Sequence, residues 1–577
     1  MNFLFTIIFA LTPFLLTTFT SELFEVPKMY FVYLVSIFIL GLFIKSFKPK
    51  ITIYLIVFFI FLISQTISTI FSIDRHTSFF GYYSRLNGGL LSTLVYFILA
   101  LILSSVNSEN LTAKIIKYSL ISGFLISIYG ILEHFGIDKN YWVQDVQARV
   151  FSTFGQPNWL AAYLCILIPL AIDKLISSPR LSYFVYLISY LFCLIFTKSK
   201  SGLIALAISL FVYFVLKISK KFLFTLPLIG LVFFFILKSS TTVYDPNSKL
   251  LITSSSDIRK IVWVGAINLW RNFPLIGTGP ETFAYSYYWV RPAAHNLTSE
   301  WDFVYNKAHN EYLNQLATSG AFGFFTYLAL IIIALITLFK SKNYALLSVY
   351  LSILITNGLG FSVVVISLFF FLIPCFVNQT PIIKPIKTPF YRYLIAIIVV
   401  LFCLFQLTTF LIADASYAAA ENYDQHNNLP AAADQIQLSL KYRPQEPEYL
   451  IKAALIFAKL TVANHTNPEI ATKYLEKHQQ ISFFNLNHLK LTAQAYYYLS
   501  AYDPKYFADA ILTLTKVTKL APTDAKSFYT LGQFYQQVKD YPQAKYYYQA
   551  ALDLKPNYDQ AKTSLIEISS LTLPTQR

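Results

Sequence analysis

His309 stands in Lys307-Ala-His-Asn-Glu-Tyr-Leu-Asn-Gln-Leu-Ala-Thr-Ser-Gly-Ala-Phe-Gly323, where a polar segment turns into an apolar run. At helical spacing His309, Leu313, Leu316 and Gly320 share one face, so the imidazole crowns the stripe that then descends into lipid. A base that titrates near neutral pH, held at a bilayer surface, suits proton transfer on a lipid-carried substrate. The competing reading is an interfacial histidine with no task.

Cations accompany it. Arg85 follows Phe80-Gly-Tyr-Tyr-Ser, Arg149 precedes Phe151-Ser-Thr-Phe-Gly-Gln-Pro-Asn158, and Lys198 and Lys200 lie in the tight hairpin Thr197-Lys-Ser-Lys-Ser-Gly202. Arg259 belongs to an amphipathic helix from Asp257 to Arg271, capped by Ser256 or Asp257, with Trp263 and Trp270 on its face. Its other stripe, Ile258, Val262, Gly265 and Leu269, is suited to lie on the bilayer. Phe273-Pro-Leu-Ile-Gly-Thr-Gly-Pro280 ends this helix, and Gly277 and Gly279 would admit close backbone approach to a ligand. Arginine and lysine at such a surface either bind phosphate or pair with lipid headgroups.

The elements that must position these residues are membrane spans. The chain has 577 residues, 56% apolar, 18% aromatic and only 13% charged, which describes an integral membrane protein. Apolar runs of about 17 to 23 residues fall near 3–19, 29–45, 51–70, 88–106, 118–135, 158–173, 181–197, 201–217, 222–238, 320–339, 343–358, 361–377 and 393–412. The first lacks a charged leader and a small-residue cleavage site, and is read as an uncleaved helix. Cys165, Cys193, Cys375 and Cys403 all lie in apolar runs, which argues against disulfides or a thiolate metal site. The net charge of +16 is scattered over short loops, as topology requires, and gives no single basic face for nucleic acid. Basic loops such as Lys45 to Lys50, Lys217 to Lys221 and Lys340 to Lys342 mark the cytoplasmic side. The stretches 71–87, 136–157 and 239–320, with Arg85, Arg149, Arg259 and His309, then face outward, and the hairpin places Lys198 and Lys200 at the membrane surface. So does everything after about 413, provided that Gly358-Leu-Gly360 separates two spans.

Taken in order, Phe80-Gly with Arg85, Arg149 with Thr153-Phe-Gly-Gln-Pro-Asn158, the Thr197 to Gly202 hairpin, Arg259 to Pro280, Ala308-His-Asn-Glu-Tyr-Leu313 and Gly320-x-x-Gly323 resemble the membrane core of the O-antigen ligase and polymerase superfamily, over roughly residues 1–410. The resemblance implies an integral-membrane glycosyltransferase that moves a glycan from an undecaprenyl diphosphate carrier to an acceptor outside the cytoplasmic membrane. In that role His309 would be the base and Arg259 the main diphosphate ligand, with Arg85, Arg149, Lys200 and Asn310 binding substrate. Lys200 stands where members commonly have Arg, keeping the charge but losing the planar fork. No metal or other cofactor is implied. The partners would be the carrier-linked glycan, a glycan, lipid or protein acceptor, and membrane lipids.

Beyond the last span a 34-residue tetratricopeptide pattern emerges, carried by Phe528, Leu531, Gly532, Tyr535, Ala544, Tyr548, Ala551 and Pro556, with weaker copies over 491–524 and up to Pro444. Such repeats offer a concave surface to an acceptor or protein partner. The expected class is therefore all-α: a polytopic helical membrane bundle of 12 or 13 spans, of the GT-C-like kind, with a C-terminal α-solenoid. Its segments are an N-terminal bundle (1–238), an extracytoplasmic loop (239–319), further membrane helices (320–413) and the repeats (414–577), which should fold by themselves from about residue 415. Ligase, polymerase and protein O-oligosaccharyltransferase differ only in acceptor. A non-catalytic scaffold or lipid-glycan transporter is the reading of a different class, and spans almost free of charge argue against it.

Overall fold

In the computed structural model, residues 1–45, 48–219, 221, 243–244, 251–252, 254–382, 392–465 and 467–571 are described. Among them the regular elements are helices apart from one two-residue antiparallel ladder, Val243 with Ile252 and Tyr244 with Leu251. The helices are α1 (Asn2–Leu11), α2 (Glu25–Lys45), α3 (Ile53–Ile70), α4 (Arg75–Phe80), α5 (Leu90–Val106), α6 (Glu109–His134), α7 (Pro157–Ser177), α8 (Leu181–Phe196) and α9 (Lys200–Lys217). After these come α10 (Ser255–Asn272), α11 (Phe283–Ser286), α12 (Glu311–Lys340), α13 (Tyr344–Gly358), α14 (Val364–Leu372) and α15 (Arg392–Gln425). The chain closes with α16 (Leu429–Tyr442), α17 (Pro447–Asn464), α18 (Glu469–Gln479), α19 (Leu486–Leu499), α20 (Lys505–Leu520), α21 (Ala525–Gln537), α22 (Tyr541–Leu554) and α23 (Asp559–Leu571).

Among the described residues seven helices are long and apolar enough to cross a membrane, α2, α3, α6, α7, α9, α12 and α15, and five shorter apolar helices accompany them. Each expected run on described residues contains a helix, although 3–19 is helical only to Phe14 and 361–377 only from Val364 to Phe376; 222–238 lies outside them. The limits differ where polar residues start a helix before the apolar run begins. Ser108 caps α6, its hydroxyl accepting from Leu111 N at 3.2 Å, nine residues ahead of the expected start. In α12 the helix begins at Glu311 and runs across a non-helical Gly320 (φ 65°, ψ −171°), so two helical pieces meet there. Val363 and the residues before it break α13 from α14, which makes two helices around Gly358.

The chain divides into two compact units. The first comprises Met1–Ser239, Leu275–Glu281 and His309–Leu411; the second comprises Ser240–Pro274, Thr282–Ala308 and Ile412–Arg577. The first is a helical bundle in which α12 packs on α3, and α13 on α7 and α9. Its core includes Phe58, Tyr96, Tyr163, Leu167, Tyr350 and Phe369.

In the second unit, the stretches that sequence sets apart as loop and repeats pack together. Antiparallel helix pairs α17 and α18, α19 and α20, and α21 and α22 stack in series, with small residues such as Ala493, Ala525, Ala544 and Ala551 buried at the crossings. Arg291 of the loop reaches Asp524, Asn296 donates to Thr523 O at 2.8 Å, and Lys555 donates to Asn296 O at 3.0 Å. Trp301 packs on Tyr558 with centroids 5.1 Å apart, and Trp289 on Phe484 at 5.6 Å. The apolar stripe of α10 is buried here: Ile258, Val262, Ala266 and Leu269 are almost fully enclosed, and a Cβ on Gly265 would come within 2.4 Å of the Tyr287 ring. That stripe covers the loop's own second half, which corrects the expectation that it lies on the bilayer.

Candidate active site

The first unit gathers its candidates around an aromatic side chain that the sequence did not single out. Gly81 (φ 96°) ends α4, and the turn after it closes with Arg85 N donating to Tyr82 O at 2.9 Å. The Arg85 guanidinium then lies 4.4 Å from the Phe361 ring centroid and 5.4 Å from that of Trp159, an arrangement favoured by the ring quadrupoles. The His309 ring is 5.4 Å from the same Phe361 ring, at 61°. Burial pushes the Arg85 guanidinium down from its ordinary value, and the carboxylates of Glu281 and Glu25 oppose that shift. Asn87 fixes the loop, its amide donating to Ser367 Oγ at 3.2 Å while its oxygen accepts from Tyr96 at 3.0 Å.

A buried ion pair holds the flanking segments. Glu25 Oε2 accepts from Val364 N at 2.7 Å, next to the Phe361 turn. Lys28, 3.5 Å from Glu25, donates to Thr153 O at 2.9 Å, in the turn after Arg149. Sequence reasoning starts this span at 29 and so misses both; the available signal was opposite charges at i, i+3 directly before an apolar run. Phe361 was hidden as the first residue of an expected span, although an aromatic just after Gly358-Leu-Gly360 is a mark of a turn at the membrane surface.

Asn158 organises the remaining cations. Its side-chain oxygen accepts from Ser199 Oγ at 2.8 Å and from Arg149 Nη2 at 3.4 Å, while Arg149 Nε donates to Thr197 O at 3.0 Å. Asn158 and Trp159 occupy the first turn of α7, where Gln156 caps both of their amides. Ser199 in turn caps α9, accepting from Gly202 N at 3.2 Å, and thereby sets Lys200, exposed, on the first turn of α9. Arg149, Lys200 and the Arg85 platform are thus joined through two adjacent residues of one helix start.

His309 itself is not on the helical stripe expected for it. Its backbone is left-handed (φ 52°), and α12 begins two residues later, with the Asn310 side chain as cap accepting from Leu313 N at 3.1 Å. The physical reason is that an N-cap residue and its predecessor cannot take helical angles, so His309 is aimed by the turn and by Phe361. The Asn310 oxygen placed among the substrate ligands by resemblance is engaged in this cap. Gly277 (φ 69°) and Gly279 (φ 112°) also differ from expectation: a Cβ on Gly277 would sit 2.2 Å from Thr318 O, and one on Gly279 would sit 2.0 Å from Ser72 Oγ. Gly279 N donates to Thr318 O at 2.8 Å and Phe322 N to Leu275 O at 3.0 Å. The close approach that these glycines permit is to the broken turn of α12, which they knit to residues 72–78.

Arg259 belongs to the second unit, on the first turns of α10. The cap there is Ser254, accepting from Asp257 N at 3.3 Å, rather than Ser256 or Asp257. Arg259 acts on the hydroxyl of Tyr305, which burial and the Glu300 carboxylate, its hydrogen-bond acceptor, push up.

The site gathers fixed cations, a histidine and aromatic faces at the ends of apolar helices, which can neutralise a leaving anion and accept a proton. No curated protein matches the chain. Residues 185–328, which include Lys200, Arg259 and His309, match the family described as O-antigen ligase. That family acts in glycosyl transfer or ligation at membranes, with a lipid-linked glycan donor and a glycan acceptor. Residues 185–328 place this part of the chain with the O-antigen ligase superfamily.

Proposed function

We propose that the protein transfers a glycan from undecaprenyl diphosphate to an acceptor hydroxyl on the outer side of the cytoplasmic membrane, without a metal ion. The acceptor oxygen attacks the anomeric carbon as its proton passes to His309, and the bond to the carrier oxygen breaks with its electron pair leaving on the diphosphate. A single displacement of this kind inverts the anomeric centre. Arg259 is assigned the diphosphate from the family resemblance, and Arg85, Arg149 and Lys200 are assigned to substrate binding from the same resemblance. The observation that carries this reading is Phe361, which bears both the histidine and a buried arginine on one ring. Sidedness draws support from the second unit: residues 282–308 and 412–577 form one compact body, which no bilayer can divide. Among the described residues four apolar helices, α12 to α15, begin between those stretches, and an even number of crossings would return the chain to one side. The helix pairs after α15 are read as tetratricopeptide repeats.

The test is transfer from purified carrier-linked glycan by the protein in membranes. His309→Ala is expected to lower turnover by about 100-fold or more. Arg259→Lys should impair turnover and Arg259→Ala impair it further, because charge alone does not replace the planar fork. Near-normal transfer by His309→Ala rejects the assignment of the base.

A further inference from the structure

The stacked helices of the second unit carry two hollows that the transfer reaction leaves without a role. One, of about 280 Å³, lies between α19 and α21 and is walled by Gln494 and Tyr497 on one side and by Thr530 and Phe534 on the other. The second, of about 460 Å³, adjoins it at Tyr497 and is bounded by Phe507 and Gln537. Tyr497, Phe507 and Phe534 cluster where they meet, with centroids 5.3 to 6.2 Å apart, and Gln537 donates to the Tyr497 hydroxyl at 3.4 Å.

The charge of this lining decides what it can hold. Lys490 and Lys526 are its only ionisable side chains besides Tyr497 and Tyr498, and each has a carboxylate: Asp524 at 2.8 Å and Asp302 at 3.3 Å. An anion therefore gains little there. What remains is aromatic faces beside amides and hydroxyls. Sugar rings present an apolar C–H face that stacks on an aromatic ring and a rim of hydroxyls that amides and phenols bind.

We propose that these two hollows are a binding groove for a neutral glycan chain, at least one sugar on each side of Tyr497, which holds the saccharide away from the bond being made. The proposal rests on the reading of the protein as a glycan transferase. An extended peptide is the competing occupant, and the groove gives it no paired charges to recognise.

The test uses the full-length protein in lipid nanodiscs and, as probes, neutral tetrasaccharides of hexose and of N-acetylhexosamine, without carrier lipid, read by saturation-transfer NMR and titration. At least one is expected to bind. Tyr497→Ala should weaken it about tenfold, and Gln494→Leu, on an exposed side chain, should weaken it measurably, with unfolding temperatures unchanged. Tyr546→Ala, 63% exposed and outside the lining, should bind as wild type. Absence of binding, binding indifferent to both groove variants, or tight binding of neutral or acidic tetrapeptides instead would overturn the proposal. His309→Ala protein should bind the probe normally, and wild-type protein that binds the probe but transfers no glycan sinks the transferase assignment while the groove stands.

Discussion

Arg291 and Asp524, 233 positions apart in the chain, form an ion pair at 3.4 Å with both side chains 3% exposed. The Asp524 carboxylate also receives Lys490 at 2.8 Å and the Ser527 hydroxyl. Burial opposes its ionisation, yet the lysine and arginine hold its carboxyl below the usual range. Asp524→Ala strands two cations in a closed interface, and loss of one partner of a buried pair costs about 3–5 kcal/mol. The unfolding temperature of the second unit, followed through Trp289 and Trp301 fluorescence, should fall. Cutting the chain after residue 414 removes the same interface, so transfer to native and small acceptors should fall together. Selective loss on the native acceptor, with unfolding unchanged, would show that the loop holds its form without the repeats.

Phe361 should behave as a positioning residue for Arg85 and His309. Phe361→Ala is expected to lower turnover by about tenfold or more, and Phe361→Tyr, which keeps the ring, to restore most of it. A purely structural role would instead appear as lost protein with normal specific activity. The comparison is kcat against KM for the carrier-linked donor in both variants.

Gly277→Ala should fail where Gly358→Ala is tolerated. At Gly277 the positive φ and the 2.2 Å approach to Thr318 O leave no room for a methyl group, whereas the nearest atom to a Cβ at Gly358 is 3.6 Å away, on Tyr312. The expected loss at Gly277 is about 3 kcal/mol or more, read as folded yield and unfolding temperature in detergent. Equal yields would refute the packing of this turn against α12.

How much of this was legible follows from the range of the forces involved. Spans are local: twenty apolar residues announce a helix wherever they pack, and α3 and α9 lie almost where expected. The helix pairs at the C-terminus announce themselves by spacing, and α23 starts 34 residues after α21. Gly277 suggested close approach correctly, but its partner is a backbone about forty residues on, for which sequence offers no pointer. Nothing in the sequence singles out Arg291 or Asp524, because burial is a property of the fold. His309 was placed on a helix by periodicity, and the Asn310 cap that ends periodicity one residue later went unread.

Acid should loosen the second unit. Burial, and then Arg291, pushes His295 down to about 4; burial, and then His488, pushes His478 down to about 3. His478 Nε2 is 2.8 Å from His488 Nδ1, whose Nε2 lies 2.6 Å from Glu448. The unfolded chain, with histidine near 6.5, binds more protons than the folded one throughout the interval between these values, so this stability is complete above about 6.5 and declines as pH falls. Unfolding temperature should drop by on the order of 5 °C between pH 7.5 and 5, and His478→Gln should flatten the slope. A pH-independent transition would refute the neutral buried histidines.

The hydrogen bond from Asn296 to Thr523 spans 227 positions, and it sets an order of events during synthesis. A ribosome adding about 5–20 residues per second needs roughly 10–45 s to pass from one to the other. Throughout that interval the nascent loop has emerged without its partner, and the helices between must be made before the partner can reach it. A chain released early, or stalled in the C-terminal helices, leaves Arg291, Asn296 and Trp301 in water, where a quality-control protease can recognise them. Only a chain translated nearly to its end can cover Arg291 and Trp301.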